Sequence, residues 1–180
     1  MCDLNLSENW RKQNISEIKK ELAKLIWNRI QEREQRTWWK KVKTSPKLRT
    51  YVTFKRELIR EEYLKSADER GRRTLTRFRS GTNELRIETG RYEGGVQLAV
   101  VNRKCWFGCD TIEDEKHVIF ECDLYKDLRK ELKRTLKTEK LEERSLCSLL
   151  GGGTMEETEM IMTFLKRSLA RRTRLLRLKG

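Results

Sequence analysis

Eighteen residues constrain this chain more than any other stretch: Cys105 to Cys122, CWFGCDTIEDEKHVIFEC. Cys105 and Cys109 are spaced C-x3-C, His117 follows after seven residues, and Cys122 after four more. His117 is the only histidine, and three of the five cysteines stand with it. Three soft thiolates and one imidazole are the donor set of a closed tetrahedral zinc site. The pattern predicts a structural Cys3His site for Zn2+, with helices arranged on either side. The alternative is three buried free cysteines beside an ordinary histidine. Four protein ligands leave no open position for water, so catalysis at the metal is not expected. Cys2 and Cys147 lie far from the cluster. Cys147 falls in an apolar run with Leu146, Leu149 and Leu150 and reads as a small core residue.

A metal staple suits this composition. Of 180 residues, 36% are hydrophobic and 39% charged, which makes a thin core under a charged surface. The net charge is +14 and unevenly spread. Residues 36–80 hold fifteen Lys/Arg against five Asp/Glu, residues 124–180 fifteen against eight, and residues 101–123 three against six. The zinc segment is thus the acidic part of a basic protein, and a phosphate backbone is drawn to its flanks. No apolar run approaches the ~20 residues of a membrane span. Residues 1–14 are polar, with no signal-peptide core, so an intracellular location, nucleus or cytoplasm, is expected. There, clustered cysteines bind metal more often than they pair.

The first helix is predicted over about Ser16 to Lys40. Ile15, Ile18, Leu22, Leu25, Ile26 and Ile30 recur at three- and four-residue steps. Asn14 and Glu17 have capping-box spacing. Trp38 and Trp39 are neighbours and point about 100° apart on a helix. Ser45-Pro46 ends or turns the element. A second helix is expected from about Lys47 to Leu64, with Tyr51, Phe54, Leu58 and Tyr63 on one face. A third covers about Asp68 to Arg79. It carries Arg70, Arg72, Arg73, Arg77 and Arg79 around Leu75 and Phe78, an arginine density that points to phosphate contact rather than a plain solvated face.

Glycines at 81, 90, 94 and 95 then break the chain into short pieces. ELRIETGRY reads as a short strand or helical turn, and residues 96–101, VQLAVV, as a strand leading to Cys105. His117 and Cys122, five apart, sit about 140° round an α-helix, a poor geometry for chelation. HVIFEC is therefore expected to be extended or turn-like, with Asp123 capping a helix from about Leu124 to Lys137. After Gly151–Gly153, Thr154 and Glu157 form a capping box. The last helix turns Met155, Ile161, Phe164, Leu165, Leu169 and Leu176 inward. Arg171, Arg172, Arg174, Arg177 and Lys179 crowd its end, suiting either the helix dipole or nucleic acid.

Three blocks in order carry a family resemblance: KLRTYVTFKRELIREEYL, LTRFRSGTNELRIETGRY, and CWFGC-x7-H-x4-C with EDEKHVIFECDLY. Over roughly residues 40–135 the chain resembles the carboxy-terminal zinc-knuckle (Cys-Cys-His-Cys) region of non-LTR retrotransposon reverse transcriptases, here as a stand-alone or domesticated fragment. The family's usual first pair is C-x2-C. The C-x3-C here, with an aromatic after the first cysteine, is similar to the cysteine-rich tails of vertebrate long interspersed elements. The resemblance implies Cys105, Cys109, His117 and Cys122 as zinc ligands and RNA or DNA binding beside a polymerase. No Tyr-x-Asp-Asp-like sequence is present, and 180 residues leave no room for a polymerase.

The expected fold is mainly α: several amphipathic helices flanking a small irregular zinc-binding subdomain with at most a short β-hairpin. Three regions are expected: 1–80, basic and helical; 81–137, the zinc region and following helix; 138–180, a linker and basic helix. The expected function is zinc-stabilised binding of RNA or single-stranded DNA, without catalysis. Arg70, Arg72, Arg73, Arg77, Arg79, Arg171, Arg172 and Arg174 are the candidate phosphate contacts. Trp106 and Phe107 are candidate stacking surfaces for unpaired bases, with packing over the zinc hairpin as the alternative role. Asp114 and Glu115 are expected to brace the zinc loop rather than act as catalysts. The competing function is a zinc-stapled helical module that docks a protein, a reverse transcriptase among the candidates. Neither a membrane nor a small-molecule substrate is expected as a partner.

Overall fold

The computed structural model describes residues 15–138, 140, 141 and 144–178. Cys2, the Asn14 cap and Lys179 lie outside the described residues.

The apolar periodicity of the first segment becomes helix α1, Ile15–Thr44. It stops where proline requires: Ser45 is extended (φ −87°, ψ 115°), and Pro46 opens a 3-10 turn, Pro46–Leu48. The Trp38 and Trp39 rings touch with centroids 5.8 Å apart, and Lys43 Nζ lies 5.1 Å from the Trp39 centroid. The chain divides into two compact units here, one ending at Thr44 and one beginning at Ser45.

The helix expected over Lys47 to Leu64 does not form. Helix α2, Tyr51–Phe54, is one turn, and Lys55 leaves it extended (φ −100°, ψ 112°). The chain becomes helical again only in a 3-10 turn, Glu62–Lys65. The cause is a buried lysine. Lys55 is 7% exposed, donates to the Ile59 carbonyl at 2.9 Å, and pairs with Glu61 at 2.8 Å. On one continuous helix, residues six apart sit about 120° round the axis and could not meet. A buried cation needs that carboxylate, and the need overrides the local apolar pattern.

Helix α3, Glu69–Arg79, forms as its pattern predicts, with the Asp68 side chain accepting from Gly71 N–H at 2.9 Å. Leu75 and Phe78 are buried. Helix α4, Arg86–Thr89, is the helical-turn reading of ELRIETGRY. VQLAVV is not a strand. Val96 makes one isolated bridge to Glu93, and Val100–Asn102 is a 3-10 turn. The Arg103 side chain donates to the Leu98 carbonyl at 3.1 and 2.8 Å, taking an acceptor that a neighbouring strand would have used. Among the described residues the only other bridge is Lys104–Ile112, just before the first ligand.

Helix α5, Lys126–Thr135, follows a 3-10 turn, Asp123–Tyr125. Asp123 opens that turn and does not cap α5, because Tyr125 comes between them. Helix α6, Leu146–Gly151, is capped by Ser145. Cys147 on α6 is only half-buried, with its thiol 3.5 Å from the Thr53 carbonyl. Helix α7, Met155–Arg177, begins at Thr154, whose hydroxyl accepts from Glu157 N–H at 3.2 Å.

Helices α3 and α5 both pack against α7, around Leu75, Phe78, Leu128, Leu132, Ile161, Met162 and Leu165. Gly71 permits the closest approach of α3, since a Cβ there would lie 3.1 Å from Met162 Cβ. The mainly α architecture with a small irregular segment around the cysteines is as expected. No helix of the described residues is long and apolar enough to cross a membrane.

Candidate metal centre

The four sulfur- and nitrogen-bearing side chains come together on short local devices. Cys105 N–H donates to the Thr111 carbonyl at 2.9 Å, beside the Lys104–Ile112 bridge, which folds the Cys105–Cys109 loop back on itself. Gly108 makes the turn with φ +89°, a conformation open to glycine. Residues His117–Glu121 form a π-helical turn, closed by Cys122 N–H donating to the His117 carbonyl at 2.8 Å. The sequence expectation was an extended or turn-like segment, because five residues do not share an α-helical face. The wider π turn resolves that mismatch: its i→i+5 hydrogen bond joins the two residues that must converge. Asp114 accepts the His117 N–H at 2.8 Å and starts the turn.

The result is a compact quartet. One ligand-type atom from each of Cys105, Cys109, His117 and Cys122 lies within 4.8 Å of the others. Cys122 Sγ is 3.9 Å from Cys105 Sγ and 3.8 Å from Cys109 Sγ. Cys105, His117 and Cys122 are buried and Cys109 is partly exposed. His117 Nδ1 is 2.9 Å from Thr111 Oγ1 and 3.4 Å from Glu121 Oε2, while Nε2 is buried without a hydrogen-bond partner. An imidazole with one nitrogen anchored and the other orphaned toward three thiols is arranged as a metal ligand. These four residues form a site that can hold a metal ion.

Charge in the quartet is unevenly placed. The hydrogen bond from Cys122, helped by His117 and opposed by burial, pulls the Cys105 thiol down to about 4. Cys122 is pushed up, by that same hydrogen bond to Cys105 and then by burial. Burial would lower His117, but the neighbouring Cys105 and Glu121 outweigh this and raise it. A cation bound here would displace the thiol protons.

The acids of this loop are structural. Glu115, 1% exposed, accepts from Arg49 at 2.8 and 3.0 Å, from Thr50 at 3.1 Å and from Asn83 at 2.9 Å. Glu113, also 1% exposed, binds Arg172 through both carboxylate oxygens, at 2.7 and 2.8 Å.

The arginines expected at phosphate divide into two sets. Arg79 is buried, with its guanidinium 4.5 Å from the Phe54 ring centroid, 4.8 Å from that of Tyr63, and 3.2 Å from Glu61. Arg172 is buried against Glu113, and Arg171 holds Asp127 and the Leu124 carbonyl. Arg72 is partly buried and donates to the Ser66 carbonyl. These four are structural, because acceptors within the fold claim them. Arg70, Arg73, Arg77 and Arg174 are exposed. Trp106 is 42% exposed, with the Arg86 guanidinium 4.0 Å from its ring centroid, whereas Phe107 packs against the core.

The exposed set shares one feature. Arg70, Arg73 and Arg77 on α3 and Lys166, Arg174 and Arg177 on α7 line a groove of about 1010 Å³ between the two helices. Lys166 is not among the basic residues the sequence singles out, and Arg177 enters there only as part of the basic helix end. Their signal was the helical spacing of positions 166, 170, 174 and 177, which places them on one face with Arg174. Arg73 is paired with Glu69 at 2.9 Å and Lys166 with Asp68. Among the described residues, no ion pair joins Arg70, Arg77, Arg174 or Arg177 to a carboxylate. No protein-family model, no curated protein and no solved structure matches this chain.

Proposed function

We propose that this chain is a zinc-stabilised module that binds RNA or single-stranded DNA and does so without catalysis. The observation that carries the reading is the groove between α3 and α7, where basic faces from two distant parts of the sequence meet. The metal assigned to the quartet is zinc. Tetrahedral coordination with Zn–S bonds of about 2.3 Å sets sulfurs about 3.8 Å apart. The Cys122 sulfur sits 3.8 and 3.9 Å from its two neighbours. A Cys3His set fills all four positions, so the role is structural. The resemblance to retrotransposon reverse transcriptase tails supports the same reading, with a polymerase as a protein partner.

Electrostatic binding of this kind is salt-dependent. Each phosphate neutralised on a single strand contributes about −0.7 to the slope of log K against log salt. Four unpaired arginines therefore predict a slope of about −3 for an oligouridine. Arg174→Gln is expected to shift that slope by about 0.7 toward zero. Arg79→Met, which alters a buried cation, leaves it unchanged. A salt-insensitive affinity would refute the reading.

One observation favours protein docking instead. Tyr92, Val96, Val100 and Val101 are 80, 65, 49 and 66% exposed within ten residues of chain. If no oligonucleotide binds and substitutions in this loop abolish capture of a polymerase, docking is the function.

A further inference from the structure

The last turns of α7 carry Arg174 and Arg177, one wall of the groove, yet few apolar side chains hold them down. The buried apolar residues of α7 are Ile161, Met162, Phe164 and Leu165, all in its first half. Beyond them only Ser168 and Arg172 are buried. Leu169 packs on the core and Arg167 pairs with Glu131, and two adjacent arginines tie this half to the metal segment and the residues just after it. Arg171 donates to the Leu124 carbonyl at 2.8 Å and to Asp127 at 2.7 Å, just after the ligand Cys122. Arg172 donates to both oxygens of Glu113, midway between the ligands Cys109 and His117.

Glu113 is itself rigidly held. Its N–H donates to the Arg103 carbonyl at 3.0 Å, its carbonyl accepts from Ile87 N–H at 3.1 Å, and its Oε2 accepts from Arg86 N–H at 2.8 Å. Glu113 and Arg172 are 1% and 4% exposed, so neither ion can be left unpaired cheaply. The Arg171–Asp127 pair is more open to water, with Asp127 65% exposed, and is the weaker strap.

We infer that Glu113 is a positioning residue that links the metal site to the groove: through Arg172, metal occupancy sets whether the basic end of α7 stays docked. This rests on the groove being the nucleic-acid site. The link itself is a property of the fold. With the loop gathered around a metal, Glu113 stands where Arg172 requires it. With the metal gone, the Cys105–Cys122 segment loses its cross-link, Glu113 keeps only its hydrogen bonds to Arg86, Ile87 and Arg103, and its hold on Arg172 and the last turns of α7 loosens.

The test is hydrogen exchange on the full chain, zinc-loaded and after zinc removal by a chelator, with oligouridine affinity measured on the same samples. Removal is expected to speed exchange of residues 169–177 at least tenfold, with a smaller change at residues 155–165. Zinc-loaded Glu113→Gln is expected to keep its metal and to exchange residues 169–177 fast already. Arg172→Lys keeps the charge but cannot hold both carboxylate oxygens. It serves as a second variant, with the same expected result, should Glu113→Gln fail to fold. Residues 169–177 as slow in both zinc-loaded variants as in the parent would overturn the inference, as would exchange there that ignores the metal. If exchange responds to metal but no oligouridine binds, the link stands and the nucleic-acid reading falls. If oligouridine binds while exchange ignores the metal, the reading stands and the link falls.

Discussion

His117 presents its two ring nitrogens to different neighbours, and that division sets its chemistry. Nδ1 is anchored by Thr111 Oγ1 at 2.9 Å, and Nε2 is buried and unpartnered beside three thiols. Partners of this kind fix the tautomer and aim the ring, and losing them costs about 10- to 100-fold in metal affinity. Thr111→Val keeps the side-chain shape and removes the hydroxyl, and is expected to weaken zinc binding about tenfold in competition with a chromophoric chelator. His117→Ala should lose the metal outright. At this scale the ligand identities were legible, because only one histidine exists and three cysteines surround it. The inward turn of Arg79 was not. Its partners are Phe54, Tyr63 and Glu61, and nothing in an arginine-rich helix shows which arginine has aromatic rings waiting for it.

Among the elements, α3 shows how a cap and a long-range ion pair share one residue. Asp68 accepts Gly71 N–H at 2.9 Å and also pairs with Lys166 on α7. The hydrogen bond from Lys166, followed by that from Gly71, holds its carboxyl below the ordinary 3.8. A carboxyl depressed on folding contributes stability above its unfolded value, and loses it as pH falls through the folded one. Asp68→Asn keeps the cap and removes the charge. Its urea midpoint is expected to lie slightly below that of the parent at pH 7, and the difference should shrink as pH falls through and below the ordinary carboxylate range. A difference unchanged down to pH 2 would show that the pair with Lys166 contributes nothing. The failure of the helix over Lys47 to Leu64 belongs to this scale too. Tyr51, Phe54, Leu58 and Tyr63 supplied an apolar pattern, but the burial of Lys55 against Glu61 needed an extended chain.

For the whole molecule, the shape of the groove matters as much as its charge. It is a crevice between α3 and α7, with cations on both walls. One flexible strand can enter and reach both sets, whereas a duplex, held in a stiff cylinder, can meet only the rim. An oligouridine is therefore expected to bind more tightly than an RNA hairpin of equal length at the same salt. The two competed in one titration give the ratio. A ratio favouring the hairpin would place the phosphate contacts on the outer faces of the helices. Two acids of the metal segment point inward and brace basic residues. Glu113 and Glu115 are both 1% exposed and paired with Arg172 and Arg49.

The amino-acid order alone picked out the four residues that can hold a metal, the start of α7 at Thr154, the end of α1 before Pro46, and the apolar faces of α3, α5 and α7. Each depends on residue type and on neighbours within a few positions, which periodicity, capping and proline sterics report directly. Tertiary structure decided the rest: which arginines face water, where the chain from Lys55 to Glu61 runs, and how His117 and Cys122 meet through a π turn. Those outcomes depend on partners far away in the chain. Arg172 meets Glu113 across 59 positions and Arg49 meets Glu115 across 66. A buried charge must find its counterion wherever the fold brings one, and no local pattern records that place.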